Sequence, residues 1–212
     1  MSSSIEWTPR TTWNAWMVLL GLAASICGCA SGPDTRPAAT ETRTEDGFVI
    51  SETARVGLGE RADFDRAVRA LDDKDYDRAI ELLLQVVEAD PRLASAQIDL
   101  GIAYTRAGKL DAAEKSLQAA LAANPRHPVA LNELAMVYRR TGRFAEARAS
   151  YEAALESHPN FHFAQRNLGI LCDLYLSDIE CALEHYEKYL SAVPDDENAK
   201  IWIADLQNRI AK

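Results

Sequence analysis

The 212-residue sequence has few glycines, few cysteines and a shortage of basic side chains. It contains 10 glycines, 4 cysteines and 23 lysines and arginines against 32 aspartates and glutamates, so its formal charge at pH 7 is −9. Nucleic-acid binding requires a basic face, and this balance argues against nucleic acid as a partner. The hydrophobic share of 48% and the charged share of 26% are typical of a globular chain and exclude a collagenous or largely disordered one.

The sequence also lacks the residue patterns of catalysis and of cofactor or metal binding. Cys181 and His185 are one helical turn apart, but no third orienting group and no glycine-rich oxyanion turn accompanies them. His158 and His162 lie on either side of Pro159, which argues against a shared helix face and a metal site. We therefore expect a protein that is not an enzyme and that uses no cofactor and no metal.

Long apolar runs are missing as well. Residues 16–26 form an apolar run of about 11 residues, whereas a helix that spans a bilayer needs about 20. A polar stretch containing Arg10 precedes the run, and small residues follow it. This arrangement is typical of a secretion signal and predicts that the chain is exported.

The end of this run, residues 26–29 (Ile-Cys-Gly-Cys), resembles the cleavage motif of bacterial lipoproteins. The resemblance implies that residues 1–28 are a signal peptide and that Cys29 carries a lipid that anchors the chain to a membrane, facing the periplasm. No aspartate follows Cys29, which in that family favours the outer membrane over the inner one. Two alternatives stay open, namely cleavage after Ala30 to release a soluble periplasmic protein, and retention of the run as a membrane anchor.

Residues 29–59 are rich in serine, proline, threonine and charged side chains and show almost no apolar periodicity. Such a segment buries too little apolar surface to offset its ordering entropy, so we expect a flexible linker with an end-to-end distance of about 30 Å. Residues 48–50 (Phe-Val-Ile) are an apolar island in it. They form either a short strand, a hook on the folded body, or a few apolar residues in a linker.

The rest of the sequence repeats with a period of 34 residues. A set of small, aromatic, glycine and proline residues recurs at that spacing: Gly101, Tyr104, Gly108, Ala113, Ala120 and Pro125 correspond to Ala135, Tyr138, Gly142, Ala147, Ala154 and Pro159. A weaker copy precedes these two, and a further copy with one inserted residue follows them. The four copies span about residues 60–93, 94–127, 128–161 and 162–196.

Each copy has the pattern of two antiparallel helices. Small residues such as Gly101 and Ala113 allow two helices to approach closely, while Gly108 suits the turn and Pro125 ends the second helix. This pattern resembles the tetratricopeptide repeat (TPR), and the resemblance implies an all-α, right-handed solenoid of four helical hairpins. Residues 195–212 read as one more helix, which we expect to cap the apolar end of the solenoid.

The other two cysteines lie in the fourth copy, Cys172 near the end of its first helix and Cys181 near the start of its second. Two cysteines that face each other across a hairpin can form a disulfide, and export would supply an oxidising compartment. The alternative is a pair of buried thiols, because Cys172 occupies the core position of Tyr104 and Tyr138.

In the TPR family, the concave face lined by the first helix of each hairpin is the usual binding surface. On the register above, this face carries an apolar stripe with a polar border, formed by Phe64, Val68, Ile98, Ile102, Asn132, Met136, Arg139, Arg166 and Ile170. A peptide or an amphipathic helix docks on such a surface. Packing between neighbouring helices is the alternative role for some of these residues.

Three hypotheses for the function follow from these observations. The first is a lipid-anchored interaction scaffold or assembly factor that binds other envelope proteins, as some TPR-containing outer-membrane lipoproteins do. The second is a structural spacer that associates with itself as a homo-oligomer. The third is a thiol-redox accessory protein that uses Cys172 and Cys181.

Overall fold

The computed structural model describes residues 38–43, 49–54 and 58–211. The predicted signal peptide and the predicted lipidation site Cys29 lie outside these residues. The described helices are α1 Leu58–Asp72, α2 Tyr76–Ala89, α3 Ala94–Arg106, α4 Leu110–Ala123, α5 Pro128–Arg140, α6 Phe144–Ser157, α7 His162–Leu171, α8 Ile179–Ala192 and α9 Glu197–Ile210. A π-helical turn, Cys172–Leu176, continues α7. None of the helices in this part of the chain combines the length and the apolar content that a bilayer crossing requires.

Two strands precede the helices. β1 (Ala38–Arg43) pairs with β2 (Val49–Ala54) in antiparallel register, with Ala38 opposite Ala54. Here the structure differs from the flexible linker predicted over residues 29–59, because threonines and β-branched residues in these two segments favour extended backbone. Val49 and Ile50 of the apolar island lie in β2, whereas Phe48 lies outside the described residues.

The helices form four successive hairpins, α1–α2, α3–α4, α5–α6 and α7–α8, and the first helix of each hairpin contacts the first helix of the next. The predicted all-α solenoid is therefore confirmed. Close approach within a hairpin depends on small residues. At Gly101 in α3, an added Cβ would lie 2.6 Å from Cγ of Leu117 in α4, which is closer than carbon atoms can approach without a shift.

Each hairpin turns at a residue with a positive φ. Gly108 and Gly142 have φ of 78°, and Lys74 and Ser177 adopt the same left-handed conformation in the first and fourth hairpins. Glycine reaches this region without a Cβ clash, which is why the two middle turns were visible in the sequence. The other two turns are made by residues for which this conformation is less favourable.

Helix α9 covers the end of the fourth hairpin. Asp196 accepts hydrogen bonds from the backbone N–H groups of Asn198 and Ala199, at 3.0 and 3.2 Å, and so caps the helix start. Ile203 and Leu206 of α9 are buried in the same core cluster as Tyr186 of α8. The Trp202 ring lies 5.3 Å from the ring of Tyr186. These contacts bury one face of α9, as expected of a capping helix.

Candidate partner-binding surface

The first helices α1, α3, α5 and α7 lie side by side and together form the face on which the sequence placed a groove, called the inner face below. Val68, Ile102, Met136 and Ile170 occupy equivalent positions in the four hairpins, and each is half-buried. They form an apolar stripe, one residue per hairpin, that remains partly accessible. Phe64 on α1 is half-buried too and extends this surface.

Two predicted groove residues belong to the interior instead. Ile98 is 4% exposed and packs with Ala94, Ala120 and Ala130, because the small side chains of the neighbouring helices leave room for it. Asn132 is 3% exposed, and its Oδ1 accepts a hydrogen bond of 3.0 Å from Nδ2 of Asn167 on α7. The prediction that these two side chains line an open groove is therefore wrong; they fix adjacent first helices to one another.

A buried carboxyl group lies beside Asn132. Glu133 accepts a hydrogen bond of 3.0 Å from Nδ2 of Asn132. Burial raises the pKa of the Glu133 carboxyl, and the charge of Arg106 and the hydrogen bond from Asn132 act in the opposite direction. The net shift is upward, so the effect of burial outweighs those two contacts.

Arg139 lies on α5, one turn after Met136. Its guanidinium carbon lies 5.8 Å from the centre of the Tyr175 ring, and Tyr175 lies 5.0 Å from the Phe144 ring. Nε of Arg139 is buried and has no hydrogen-bond partner among the described residues. The contact with the Tyr175 ring therefore positions the Arg139 guanidinium through a cation–π interaction.

Tyr151 on α6 is a buried polar residue that the sequence did not single out. Its side chain is fully buried, in the same core cluster as Ala135, and its hydroxyl has no hydrogen-bond partner among the described residues. Burial raises the pKa of this phenol, the charge of Arg139 lowers it, and the charge of Glu133 raises it further, so the hydroxyl lies near these two groups. In the sequence, Tyr151 lies 34 residues after Leu117 and so occupies the same core position of the repeat. A tyrosine at that position adds a polar hydroxyl to the core.

Arg166 lies on α7. Its guanidinium carbon is 5.8 Å from the ring centres of Phe163 and Tyr189, and its Nε is buried without a hydrogen-bond partner among the described residues. The Tyr189 hydroxyl donates a hydrogen bond of 2.7 Å to Asp196. Arg166 therefore lies where α7, α8 and the start of α9 meet.

The structure joins Cys172 and Cys181 in a disulfide, with a Cα–Cα distance of 5.9 Å. Asp178 caps α8 by accepting a hydrogen bond of 3.1 Å from the backbone N–H of Cys181, and it also pairs with Arg148. Its carboxylate and the two sulfurs lie within 4.8 Å of one another. In the disulfide the sulfurs are bonded to each other, so they are neither thiolate ligands nor nucleophiles.

The histidines have structural contacts. Nδ1 of His185 lies 2.6 Å from Oε1 of Gln165, and burial lowers the pKa of the His185 imidazole. His127 caps α5 through Nδ1, which accepts a hydrogen bond from the Ala130 N–H. His158 contacts Ser157, and the His162 ring lies 4.2 Å from the Phe163 ring.

The sequence profile described as "Tetratricopeptide repeat" matches residues 64–128, 98–161 and 132–172, which together cover about half of the chain. The chain belongs to the tetratricopeptide repeat family. No curated protein sequence matches this TPR chain at a significant level.

Solved structures resemble the TPR solenoid. PilF of Pseudomonas aeruginosa superposes with a TM-score of 0.66 at 22% identity, over 72% of this chain and 69% of that one. MamA of Desulfovibrio magneticus RS-1, from residue 41 to its end, gives 0.64 at 18% identity, over 73% and 87%. The first TPR domain of Spaghetti (RPAP3), bound to the HSP90 peptide SRMEEVD, gives 0.53 at 24% identity, over 56% and 94%. At these identities the likeness establishes the fold.

Proposed function

We propose that this TPR protein is a non-enzymatic interaction scaffold that binds a partner peptide or amphipathic helix on its inner face. The observation that carries the proposal is the apolar stripe of Val68, Ile102, Met136 and Ile170, which remains partly accessible along all four hairpins. Charged side chains border it, including Arg139 and Arg166. An accessible apolar surface with a polar border favours a docked segment over bulk water.

One structural neighbour illustrates peptide binding by the same fold, since the first TPR domain of RPAP3 is bound to an HSP90 peptide. For this chain we propose envelope proteins as partners instead of a chaperone peptide. We place the protein in the bacterial cell envelope, anchored through a lipid on Cys29, facing the periplasm and most consistent with the outer membrane, where it would position or assemble other envelope proteins. The resemblance of residues 26–29 to a lipoprotein cleavage motif supports this location. Metabolic labelling with a palmitate analogue should mark the native chain and leave a Cys29→Ser variant unlabelled.

The experiment that tests the scaffold role is a cross-linking pull-down from solubilised envelopes. We compare the native chain with a variant that carries Ile102→Glu and Met136→Glu, which places two charges on the apolar stripe. The matched control is Leu84→Glu, because Leu84 lies on the second helix α2 and is 44% exposed. Circular dichroism must show that both variants keep the native helix content.

A partner captured by the native chain and by the Leu84 variant, but lost with the stripe variant, would support the proposal and identify the pathway. Recovery of the same proteins with all three chains would contradict binding on the inner face. If the species that disappears is a second copy of the chain itself, seen also as concentration-dependent dimerisation, the structural spacer replaces the scaffold as the explanation.

A further inference from the structure

Three groups with metal-binding atoms lie together at the turn of the fourth hairpin. The Sγ atoms of Cys172 and Cys181 and a carboxylate oxygen of Asp178 all lie within 4.8 Å of one another. Cys172 is buried, and Asp178 and Cys181 are half-buried, so the fold shields the cluster from bulk water. Thiolate sulfur and carboxylate oxygen are both zinc ligands in proteins. The expectation of no metal rested on the histidines, none of which belongs to this cluster.

Hydrogen bonds hold the cluster together independently of the bond between the sulfurs. The backbone N–H of Asp178 donates to the carbonyl of Cys172 at 2.9 Å, and the Asp178 carboxylate accepts from the backbone N–H of Cys181 at 3.1 Å. The Cα atoms of the two cysteines are 5.9 Å apart. Neither hydrogen bond involves a sulfur atom, so the oxidation state of the cysteines does not remove them. Reduction of the disulfide therefore leaves two thiols and a carboxylate side by side.

The carboxylate of Asp178 has the surroundings of a metal ligand. Its Oδ1 accepts the hydrogen bond from Cys181, and its Oδ2 accepts one of 3.2 Å from the guanidinium of Arg148. Each carboxylate oxygen has two lone pairs, so one on each remains for a metal. Carboxylates that bind metals in proteins are themselves hydrogen-bonded in this way. A divalent ion with two thiolates and one carboxylate has one negative charge, and the positive charge of Arg148 lies beside it.

We propose that Cys172, Asp178 and Cys181 bind a zinc ion when the disulfide is reduced, with water in the fourth tetrahedral position. The reductant is a dithiol, which passes two electrons and two protons to the disulfide and becomes a disulfide itself. When zinc binds, each cysteine thiol releases its proton to water and bonds to the metal as a thiolate. The fourth hairpin is then closed by the metal in the reduced chain and by the disulfide in the oxidised chain.

Zinc and the disulfide exclude each other at this turn. Tetrahedral coordination with a Zn–S distance of about 2.3 Å holds two thiolates about 3.8 Å apart, so they cannot be bonded to each other. Rotation of the two cysteine side chains about χ1 changes the separation of the sulfurs without moving the Cα atoms. Oxidation therefore expels the metal, and bound metal protects the thiols from oxidation. The site does not use the inner face, so it is independent of the proposed scaffold role.

The test uses cobalt(II) as a spectroscopic probe, because a thiolate bound to cobalt gives an absorption band that water and carboxylate ligands do not give. The purified full chain carries Cys27→Ser and Cys29→Ser, which remove the other two cysteines. This parent chain is reduced with a phosphine, separated from the reductant under anaerobic conditions and titrated with cobalt. We expect one thiolate-bound cobalt ion per reduced chain, displaced by zinc, and none in the oxidised chain.

Asp178→Asn separates metal binding from helix capping. Asparagine caps a helix about as well as aspartate but is neutral, so the variant should keep α8 and bind cobalt about tenfold or more weakly than the parent chain. The matched control is Asp75→Asn. Asp75 caps α2 in the first hairpin by accepting a hydrogen bond of 3.2 Å from the backbone N–H of Arg78. The control should bind cobalt as tightly as the parent chain.

Hydrogen exchange of the reduced chain, with and without zinc, provides a measurement that needs no cobalt. Zinc should slow exchange about tenfold at the end of α7 and at the start of α8, and leave α3 and α4 unchanged, because each repeat contacts mainly its neighbours. Cys181→Ser should remove this effect. Cys181 is the suitable cysteine for substitution because it is half-buried, whereas Cys172 lies in the core.

A thiolate–cobalt absorption no greater than that of the Cys181→Ser variant would overturn the zinc site. An Asp178→Asn variant with the affinity of the parent chain would also overturn it, because the carboxylate would then not be a ligand. Slower exchange in all four hairpins on addition of zinc would indicate binding at scattered surface carboxylates and would contradict the site as well. None of these results bears on the scaffold role, which the envelope pull-down decides.

Discussion

The third and fourth hairpins follow the same repeat but stabilise their turns by different means. In the third, Tyr138 fills the core at the end of α5, Gly142 makes the turn, and the guanidinium of Arg143 lies 4.1 Å from the centre of the Tyr138 ring. In the fourth, Cys172 replaces the tyrosine and a disulfide to Cys181 links the two helices. A cross-link thus stands where the third hairpin has an aromatic side chain.

The fourth hairpin also accommodates an inserted residue. The backbone N–H of Arg143 donates to the carbonyl of Tyr138 at 2.8 Å, and that of Asp178 donates to the carbonyl of Cys172 at 2.9 Å across one more residue. The π-helical turn Cys172–Leu176 takes up the extra residue, and Leu174 within it is 68% exposed. Beyond the turn the repeat resumes, so the insertion stays local.

Reduction of the disulfide should produce the largest difference between the two hairpins. Closing a loop of this length contributes about 3 kcal/mol in the chain-entropy account. Because each repeat contacts mainly its neighbours, the loss should be concentrated in the end of α7, in α8 and in α9. Hydrogen exchange with and without a phosphine reductant should show faster exchange there and unchanged protection in α3 and α4. Uniform acceleration along the whole solenoid would contradict a local role for the bond.

Gly169→Ala should destabilise the fourth hairpin by about 1–2 kcal/mol. An added Cβ would lie 2.6 Å from Cδ1 and Cε1 of Tyr186, an overlap that outweighs the helix propensity gained from alanine. The equivalent position in the third hairpin is already Ala135, beside Tyr151. Urea unfolding measures the change, and Ala204→Gly on the exposed side of α9 gives the propensity effect without a clash. An increase in stability would show that the ring of Tyr186 moves aside freely.

Tyr151→Phe should leave the third hairpin as stable or stabilise it by up to about 1 kcal/mol. The substitution keeps the ring and removes a buried hydroxyl that lacks a partner among the described residues. Thermal unfolding of the purified protein measures this effect. A clear loss of stability would mean that the hydroxyl is hydrogen-bonded in the free protein.

The smallest effects are expected from two carboxyl groups whose pKa values are shifted in opposite directions. The Tyr189 hydroxyl and two backbone N–H groups lower the pKa of Asp196 below its usual 3.8, so this stabilisation is present above pH 4 and is lost as the pH falls through the lowered value. Burial raises the pKa of Glu133 above its usual 4.5, so Glu133 favours the folded state less as the pH rises above 4.5.

Asp196→Asn and Glu133→Gln should separate these two contributions. The asparagine variant should lose less stability than the native chain between pH 4 and pH 2. The glutamine variant should gain stability relative to the native chain between pH 4 and pH 7. Urea midpoints at each pH measure both changes. A variant whose stability runs parallel to that of the native chain over its own pH range would contradict the assignment for that carboxyl group.

The period of 34 residues, together with the glycines at the two middle turns, was sufficient to predict the four hairpins. Small residues such as Gly101 can be recognised in the sequence because helix contact constrains their size at a fixed position. The inner face could be predicted only in part. Ile98 and Asn132 have the same spacing as the accessible residues of the stripe, and the sequence does not show how much of each is covered by the next helix.

The sequence by itself determined the repeat, its helical register, the location of the inserted residue and the pairing options of the cysteines, because these depend on local periodicity and on residue size. The tertiary structure decided which inner-face residues remain accessible, that Asn132 and Asn167 join adjacent helices, and that the Tyr151 hydroxyl is buried near Arg139. These features depend on the distance between helices of different hairpins. Burial and hydrogen-bond satisfaction are properties of that packing and have no signature along the chain.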